Sequence, residues 1–409
     1  MWLRSLAVLL ASCSMAAAGD WPQWLGPDRN GSSREVVGPW KHPPKVLWRH
    51  AVGEGHSSPV VAGGRVVLHT KVNGKEEEEV TAYSARSGKR LWHTAYGRGS
   101  FSSLFGNGPR ATPAVAAGRV YANGATGILT CLDARNGDKV WQVDTLTTFK
   151  APNLKFGVSC SPLVEGDNVL VNVGGKGASV VAFGTDKGDV AWKSLDDLAS
   201  YSSPTALGRG KERQVVFVTE QGVRSLRPSD GRLLWKFHMV DLLNESSTTP
   251  VHVGDLLVAG SVTYGSVGLK LKTVDGKPAA RQAWKNGALT CYFSTPAAVG
   301  KDYLYMVTGT FIPPPAATLR CVDAATGKEL WQRAKVAKYH AALLRTGDDK
   351  LLMMEDGGEL VLLDPSPKGY RELARSKVCG EIWAHPALSD GRLYVRDDQE
   401  LICLRLPAN

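Results

Sequence analysis

The stretch Cys131-Leu132-Asp133-Ala134-Arg135-Asn136-Gly137-Asp138-Lys139-Val140-Trp141 returns, with substitutions, as Val322-Asp323-Ala324-Ala325-Thr326-Gly327-Lys328-Glu329-Leu330-Trp331. Each copy reads as the end of one short strand, a turn with glycine four residues before tryptophan, and a second strand. The tryptophan recurs as Trp48, Trp92, Trp141, Trp192, Trp235, Trp284 and Trp331, at intervals of about 43 to 51 residues, the period of a repeat architecture. Between them runs a second series, Ser58-Pro59, Thr112-Pro113, Ser161-Pro162, Ser203-Pro204, Thr249-Pro250, Thr295-Pro296 and His385-Pro386, each opening an apolar strand. Ala341-Ala342 fills the remaining slot, which makes eight units.

Within one unit, Ser58-Pro59-Val60-Val61, a Gly63-Gly64 turn, residues 65–70, residues 80–84, a Ser87-Gly88 turn and Arg90-Leu91-Trp92 read as four strands with hairpin turns. Eight such units predict an all-β protein, an eight-bladed β-propeller of four-stranded antiparallel blades. Glycine precedes tryptophan by four in five units, as Gly88/Trp92, Gly137/Trp141, Gly188/Trp192, Gly231/Trp235 and Gly327/Trp331. That glycine accepts the positive φ of a tight turn, and the fixed offset aims each indole at the same gap between blades. Unit seven has Gly369 but Leu373 in place of tryptophan, and unit five stretches the spacing from Gly276 to Trp284, so both are expected to pack less regularly.

The last unit supplies three strands, at residues 385–388, 392–396 and 400–406, and no fourth. The strand Lys45-Val46-Leu47-Trp48-Arg49, which has no partners of its own, is expected to complete that blade and remove two free edges.

The rest of the chain bounds what this fold can do. Over 409 residues the composition is 43% hydrophobic and 22% charged, that of a folded protein, and no apolar run reaches the roughly 20 residues of a membrane-spanning helix. The net charge of +10 is scattered, without the basic tract that nucleic-acid binding uses. Residues 1–18 combine Arg4, an apolar stretch and Ala16-Ala17-Ala18, the parts of a secretory signal peptide. Leu10-Ala11-Ser12-Cys13 offers the rival reading of a lipoprotein signal, with a lipid anchor on Cys13. Residues 19–44 are then an N-terminal extension packing on the propeller, residues 45–409.

No CxxC, HExxH, P-loop or G-x-S-x-G motif occurs, so zinc-ribbon, metal-hydrolase, nucleotide-binding and serine-hydrolase chemistries are set aside. Cys131, Cys321 and Cys403 share one strand position and read as a small packing site. Cys160, Cys291 and Cys379 precede first strands, and a disulfide such as Cys291–Cys321 is left open. His340 and His385 are read as polar side chains facing the central channel rather than as catalytic bases.

On one face of the ring the turns are short; on the other the connections are long and aromatic, and function is expected there. The candidate binding face takes Phe101, Phe105, Asn107 and Arg110 from one connection, and Phe149, Lys150 and Phe156 from the next. Asn244, Glu245, Tyr292, Phe293, His340, Trp383 and His385 complete it. Aromatic surface mixed with positive charge suits protein or peptide docking, and inward-folded aromatics plugging the funnel are the plainer alternative. The acidic run at residues 76–79, beginning a strand after Asn73-Gly74, reads as a solvated turn, and Ile312-Pro313-Pro314-Pro315 as a stiff loop.

The two quoted phrases resemble the repeat of the PQQ-like β-propellers, over roughly residues 45–406, and Trp21-Pro22-Gln23-Trp24-Leu25-Gly26-Pro27 is similar to the start of exported bacterial members. That family includes quinoprotein dehydrogenases, which bind pyrroloquinoline quinone (PQQ) and calcium, and the non-enzymatic outer-membrane assembly factor BamB. The resemblance implies a periplasmic or envelope-associated scaffold, monomeric and non-catalytic, that binds a protein or peptide partner, with no cofactor expected. One alternative is a PQQ- and calcium-dependent alcohol or sugar dehydrogenase using Asn244, Glu245, Asp397 and Trp383. The adjacent cysteine pair common in those enzymes is missing from this sequence. A second alternative is a carbohydrate-binding propeller, with Trp383 and the rim aromatics stacking on sugar rings.

Overall fold

The computed structural model describes residues 19–309 and 315–408. The signal-peptide and Cys13 expectations lie outside these residues, as does most of the expected proline-rich loop at 312–315. Thirty-two strands form eight four-stranded antiparallel sheets, each following chain order except the last. Blade 1 is typical, with strands Val60–Ala62, Arg65–Lys71, Glu77–Ser84 and Arg90–Gly97 running from the channel outward. In the last blade Lys45–Ala51 pairs with Glu400–Arg405, so the strand expected to close the ring does so.

Six indoles obey one rule. Trp48, Trp92, Trp141, Trp192, Trp284 and Trp331 each donate Nε1–H to a carbonyl in the next blade, of Ala85, Ala134, Thr185, Pro228, Ala324 and Ser366, at 2.7–3.3 Å. Except at Trp331, the glycine three residues past the carbonyl lies flat against that ring. A Cβ on Gly137 would stand 2.6 Å from Trp92 Cε3, and on Gly231 2.3 Å from Trp192 Cε3. These glycines therefore answer two demands, a φ of +67° to +79° and room for an indole.

The two irregular units differ for identifiable reasons. Blade 5 extends its outer hairpin, Gly265–Val274 with Lys277–Asn286, through the place where the glycine turn sits elsewhere. Trp235 consequently donates to Gln214 Oε1 of its own blade and packs against Leu271 and Ala280 of that hairpin. Leu373, where tryptophan was expected, faces the split blade, whose third and fourth strands come from opposite chain ends and share no turn. Trp40 covers this seam, donating Nε1–H to Ser376 Oγ and packing in one apolar cluster with Val37 and Leu373.

The Ser/Thr-Pro series forms an inner ring. The Ser58 amide donates to Thr112 Oγ1, Thr112 to Ser161 Oγ, Ser161 to Ser203 Oγ and Thr249 to Thr295 Oγ1, at 2.9–3.2 Å. Each hydroxyl satisfies a buried N–H of the preceding blade, worth about 0.5–1.5 kcal/mol apiece. Below this ring the N-terminal segment crosses the channel. Trp21 exchanges backbone hydrogen bonds with Val61, and Val115 N–H donates to Pro22 O. Arg29, buried, spends its guanidinium on the carbonyls of Ser161, Pro162 and Pro204.

Among the described residues all six cysteines are free, so the disulfide left open at Cys291–Cys321 is not formed. Cys131, Cys321 and Cys403 are fully buried, and each lies opposite a tyrosine, Tyr121, Tyr305 or Tyr394. The sequence reading contained no helix. One turn of helix, Thr145–Phe149, forms between blades 2 and 3, where Asp144 accepts the Thr147 N–H as N-cap and Lys150 closes the end at φ +52°.

Candidate functional site: an aromatic mouth on the channel

The position two residues before each Ser/Thr-Pro pair aims its side chain into the channel, as period-two alternation requires. It holds His56, Arg110, Ser159, Tyr201, Ser247, Phe293 and Trp383, all of which line one cavity of about 170 Å³. Trp24, from the segment crossing below, also lines it, its Nε1–H held 2.8 Å from Thr249 Oγ1. Phe105, Phe156, Glu245, Tyr292 and His340 complete the wall with Ser161 and Ser203 of the inner ring.

Trp383 is the hub, with ring centroids of His340 at 4.7 Å, Phe293 at 5.3 Å, His56 at 5.5 Å, Tyr339 at 5.8 Å and Phe105 at 5.9 Å. Burial pushes His340 down to about 4 and holds His56 well below the ordinary imidazole value, so both are neutral at pH 7. Burial also lowers Arg110, to about 10, which leaves it charged; its guanidinium is occupied by Gly108 O, Gly106 O, Phe105 O and Ser103 Oγ. Glu245 is the carboxylate of this wall: the Tyr292 hydroxyl donates to its Oε2, and the Lys155 ammonium lies 3.9 Å from its Oε1.

The loop carrying Phe105 and Arg110 is pinned by a buried ionic cluster, which corrects the reading of residues 76–79 as a solvated turn. Residues 77–79 begin the strand Glu77–Ser84, and alternation turns Glu78 inward while Glu77 stays at the surface. Glu78, fully buried, accepts from Tyr96 Oη, from Ala125 N–H and from Arg98. Burial alone would raise this carboxyl, but hydrogen bonds from His69, Ala125 and Tyr96 hold it below its ordinary value. Arg98 in turn donates to Asn107 O and Phe101 O, tying the loop to this cluster, while the Asn107 N–H on Glu54 Oε1 and the His56 and Ser57 amides on Pro109 O hold its other side.

Of the fourteen candidate residues, Phe105, Arg110, Phe156, Glu245, Tyr292, Phe293, His340 and Trp383 come together at the cavity. The other six do not line it. Phe101 packs behind the loop, under Arg98 and Arg110 at 5.7 and 5.5 Å. Asn107 braces the same loop, accepting from Ser103 N–H. Phe149 packs on Phe183, and Lys150 caps the short helix. Asn244 sits in a turn at φ +52°. His385 is buried between carbonyls, 2.9 Å from Pro386 O and 3.0 Å from Leu343 O, with its ring against Trp21 and Trp24 of the crossing segment, and does not line the cavity. Trp24, His56, Tyr201 and four serines were missed, although the offset of two from each Ser/Thr-Pro pair would have found His56, Ser159, Tyr201 and Ser247.

A ring of eight four-stranded blades around such a mouth defines an eight-bladed propeller of the PQQ-like class. The chain belongs to the family described as outer membrane protein assembly factor BamB, which matches residues 34–157, 76–312 and 315–405. Among its relatives, the BamB of Shewanella oneidensis is 23% identical over 339 residues, 79% of this chain and 80% of that protein. BamB of Burkholderia pseudomallei is 25% identical over 261 residues, 60% of this chain and 59% of that one. Of solved structures, BamB from Moraxella catarrhalis superposes with a TM-score of 0.62 at 16% identity, covering 90% of this chain and 99% of that one. A quinohemoprotein alcohol dehydrogenase from Comamonas testosteroni gives 0.65 at 14% identity, covering 96% and 82%. At these identities the superpositions show the fold.

The residues at the mouth do not fit a calcium-held quinone. Among the described residues no three His, Cys, Asp or Glu side chains converge, so any calcium here would depend largely on amide and backbone oxygens. Of the calcium ligands expected, Glu245 alone lines the mouth and already accepts from Tyr292 with Lys155 beside it, while Asn244 is in a turn and Asp397 accepts the Gly380, Gln399 and Glu400 amides. Arg110 has no free donor fork to offer quinone oxygens, being committed to its own loop.

Proposed function

We propose that this protein is an exported, non-catalytic scaffold of the cell envelope that docks a protein or peptide partner on the aromatic mouth of its channel. The observation that carries this reading is an exposed apolar rim beside that mouth. Leu104, next to Phe105, and Leu242, three residues from Glu245, are each 86% exposed, and neighbouring Leu243 is 57% exposed. Large aliphatic side chains left in water around an aromatic depression are what an unoccupied docking surface presents. The names of the relatives, outer membrane protein assembly factors, support a partner that is itself a protein. Export is the reading of residues 1–18, with an N-terminus at Gly19 or a lipid on Cys13 distinguished by the mass of the mature chain.

A photo-crosslinking side chain placed at Leu104 or Leu242 is expected to capture one discrete envelope partner in living cells, whereas the same probe at Val190, on an outer strand, captures none. Equal labelling from all three sites counts against the scaffold. Dye reduction by the purified protein with PQQ, calcium and an alcohol or sugar panel would turn the reading toward the dehydrogenase. The carbohydrate reading has less support, because five rings crowd Trp383 where a sugar needs an open aromatic face.

A further inference from the structure

The cavity at the mouth has the size and chemistry of a specific ligand site. Its volume, about 170 Å³, matches one six-membered ring, since an apolar protein cavity of about 150 Å³ accommodates benzene. Its walls are largely aromatic, from Trp24, Phe105, Phe156, Phe293 and Trp383, and favour a flat ring in edge or offset contact. Charge selects further. Lys155 lies 3.9 Å from Glu245 and Arg110 lines the same cavity, so a cation gains little, and Glu245 repels an anion. What remains is a neutral ring.

Glu245 specifies what that ring carries. An ionised carboxylate has about four lone-pair sites and donates nothing, so it must be met by donors. The structure already holds one example: Tyr292, a phenol stacked on Phe293 at 3.9 Å, donates its hydroxyl to Oε2. Oε1 lies 3.9 Å from the Lys155 ammonium, beyond hydrogen-bond distance, and that lysine is 74% exposed, with its ammonium 5.1 Å over the Phe156 ring. We infer that the cavity takes one aromatic ring bearing an O–H or N–H donor, a phenol or an indole on a side chain of the docked partner, with the donor on Glu245 Oε1. The source of the ring rests on the docking reading above; the chemistry of the cavity does not.

The test uses the whole protein and small probes, read by calorimetry. p-Cresol is expected to saturate one site and to bind about tenfold more tightly than toluene or 4-fluorotoluene, which fill the same space without a donor, because hydrogen bonds to charged groups are the stronger kind. In Glu245→Gln the preference falls to about threefold or less; if that variant does not fold, the wild-type series decides. Equal binding of toluene and p-cresol, or no saturable site, overturns the proposal. For the source, N-acetyl-Ala-Tyr-Ala amide is expected to bind about tenfold more tightly than its phenylalanine congener, and p-cresol binding without binding of the tyrosine peptide overturns the assignment to a docked chain. Loss of the Leu104 and Leu242 crosslinks with the p-cresol preference intact would mark failure of the scaffold reading alone.

Discussion

The amide of His385 donates to the hydroxyl of Ser58 at 2.8 Å, joining residues 327 apart at the point where the first and last blades meet. The same bond, repeated between neighbouring blades, is what the Ser/Thr-Pro series exists to make. Closure is thus secured twice, at the inner ring by Ser58 and in the outer sheet by Lys45–Ala51.

Removing the Ser58 hydroxyl leaves a buried N–H without a partner, so Ser58→Ala is expected to cost about 1–3 kcal/mol in urea unfolding. Ser87→Ala, in an exposed turn, should lie within about 0.5 kcal/mol of the parent protein. If the two variants unfold alike, the inner ring contributes nothing.

The glycine rule separates backbone from packing. Gly276 and Gly137 share a positive φ, +72° and +79°, but a Cβ on Gly276 meets nothing within 4 Å whereas one on Gly137 collides with Trp92. Gly276→Ala therefore carries only the left-handed penalty, about 1–2 kcal/mol. Gly137→Ala adds overpacking, about 1–3 kcal/mol more, and should shift Trp fluorescence as the indole moves. Equal destabilisation of the two would mean that the indole yields freely.

How much of this was readable from the chain differs between fold and site. Blade number, strand order and ring closure follow from the register of Trp48 to Trp331 and from the missing fourth strand after residue 406, because in a propeller each unit repeats one local solution. The mouth was half readable. Phe105, Phe156 and Trp383 stand out as aromatics on long connections, but their convergence depends on the offset of two from Ser/Thr-Pro, whose meaning emerges only when those hydroxyls are seen bonding across blades. Glu78 misled for a different reason: four consecutive glutamates look like surface, and only strand pairing sends one inward to Arg98. Trp24 could not be anticipated, since nothing local says that an N-terminal segment passes beneath the channel.

The Glu78–Arg98 pair makes a prediction of its own. Glu78→Gln leaves the buried Arg98 guanidinium with the half-exposed Glu76 as its remaining counter-charge and should cost about 1–3 kcal/mol, with faster amide exchange in residues 99–110. Glu78→Leu combined with Arg98→Met removes both charges and should be less destabilised than Glu78→Leu alone, which strands the guanidinium, while freeing the loop from this cluster. A double variant with parental exchange rates would show that the loop holds itself.

The neutral imidazoles of the mouth give the protein an acid limit. His340 has an ordinary value of 6.5 and is pushed by burial to about 4, although Asp356 opposes the shift. Between those values the unfolded chain binds a proton that the folded chain refuses, so the stabilisation is complete above pH 6.5 and is lost as pH falls toward 4. His340→Phe keeps a ring against Trp383 and cannot titrate. Relative to that variant, the parent protein should lose stability steadily from pH 6.5 to 4, with the difference constant above pH 7. His56 and His385 are shifted in the same direction and remain in both proteins, so the comparison reads the charge of His340 together with its repulsion of those two imidazoles. Urea midpoints collected across this range decide the matter: parallel curves for the two proteins would mean that His340 protonates in place without disturbing the mouth.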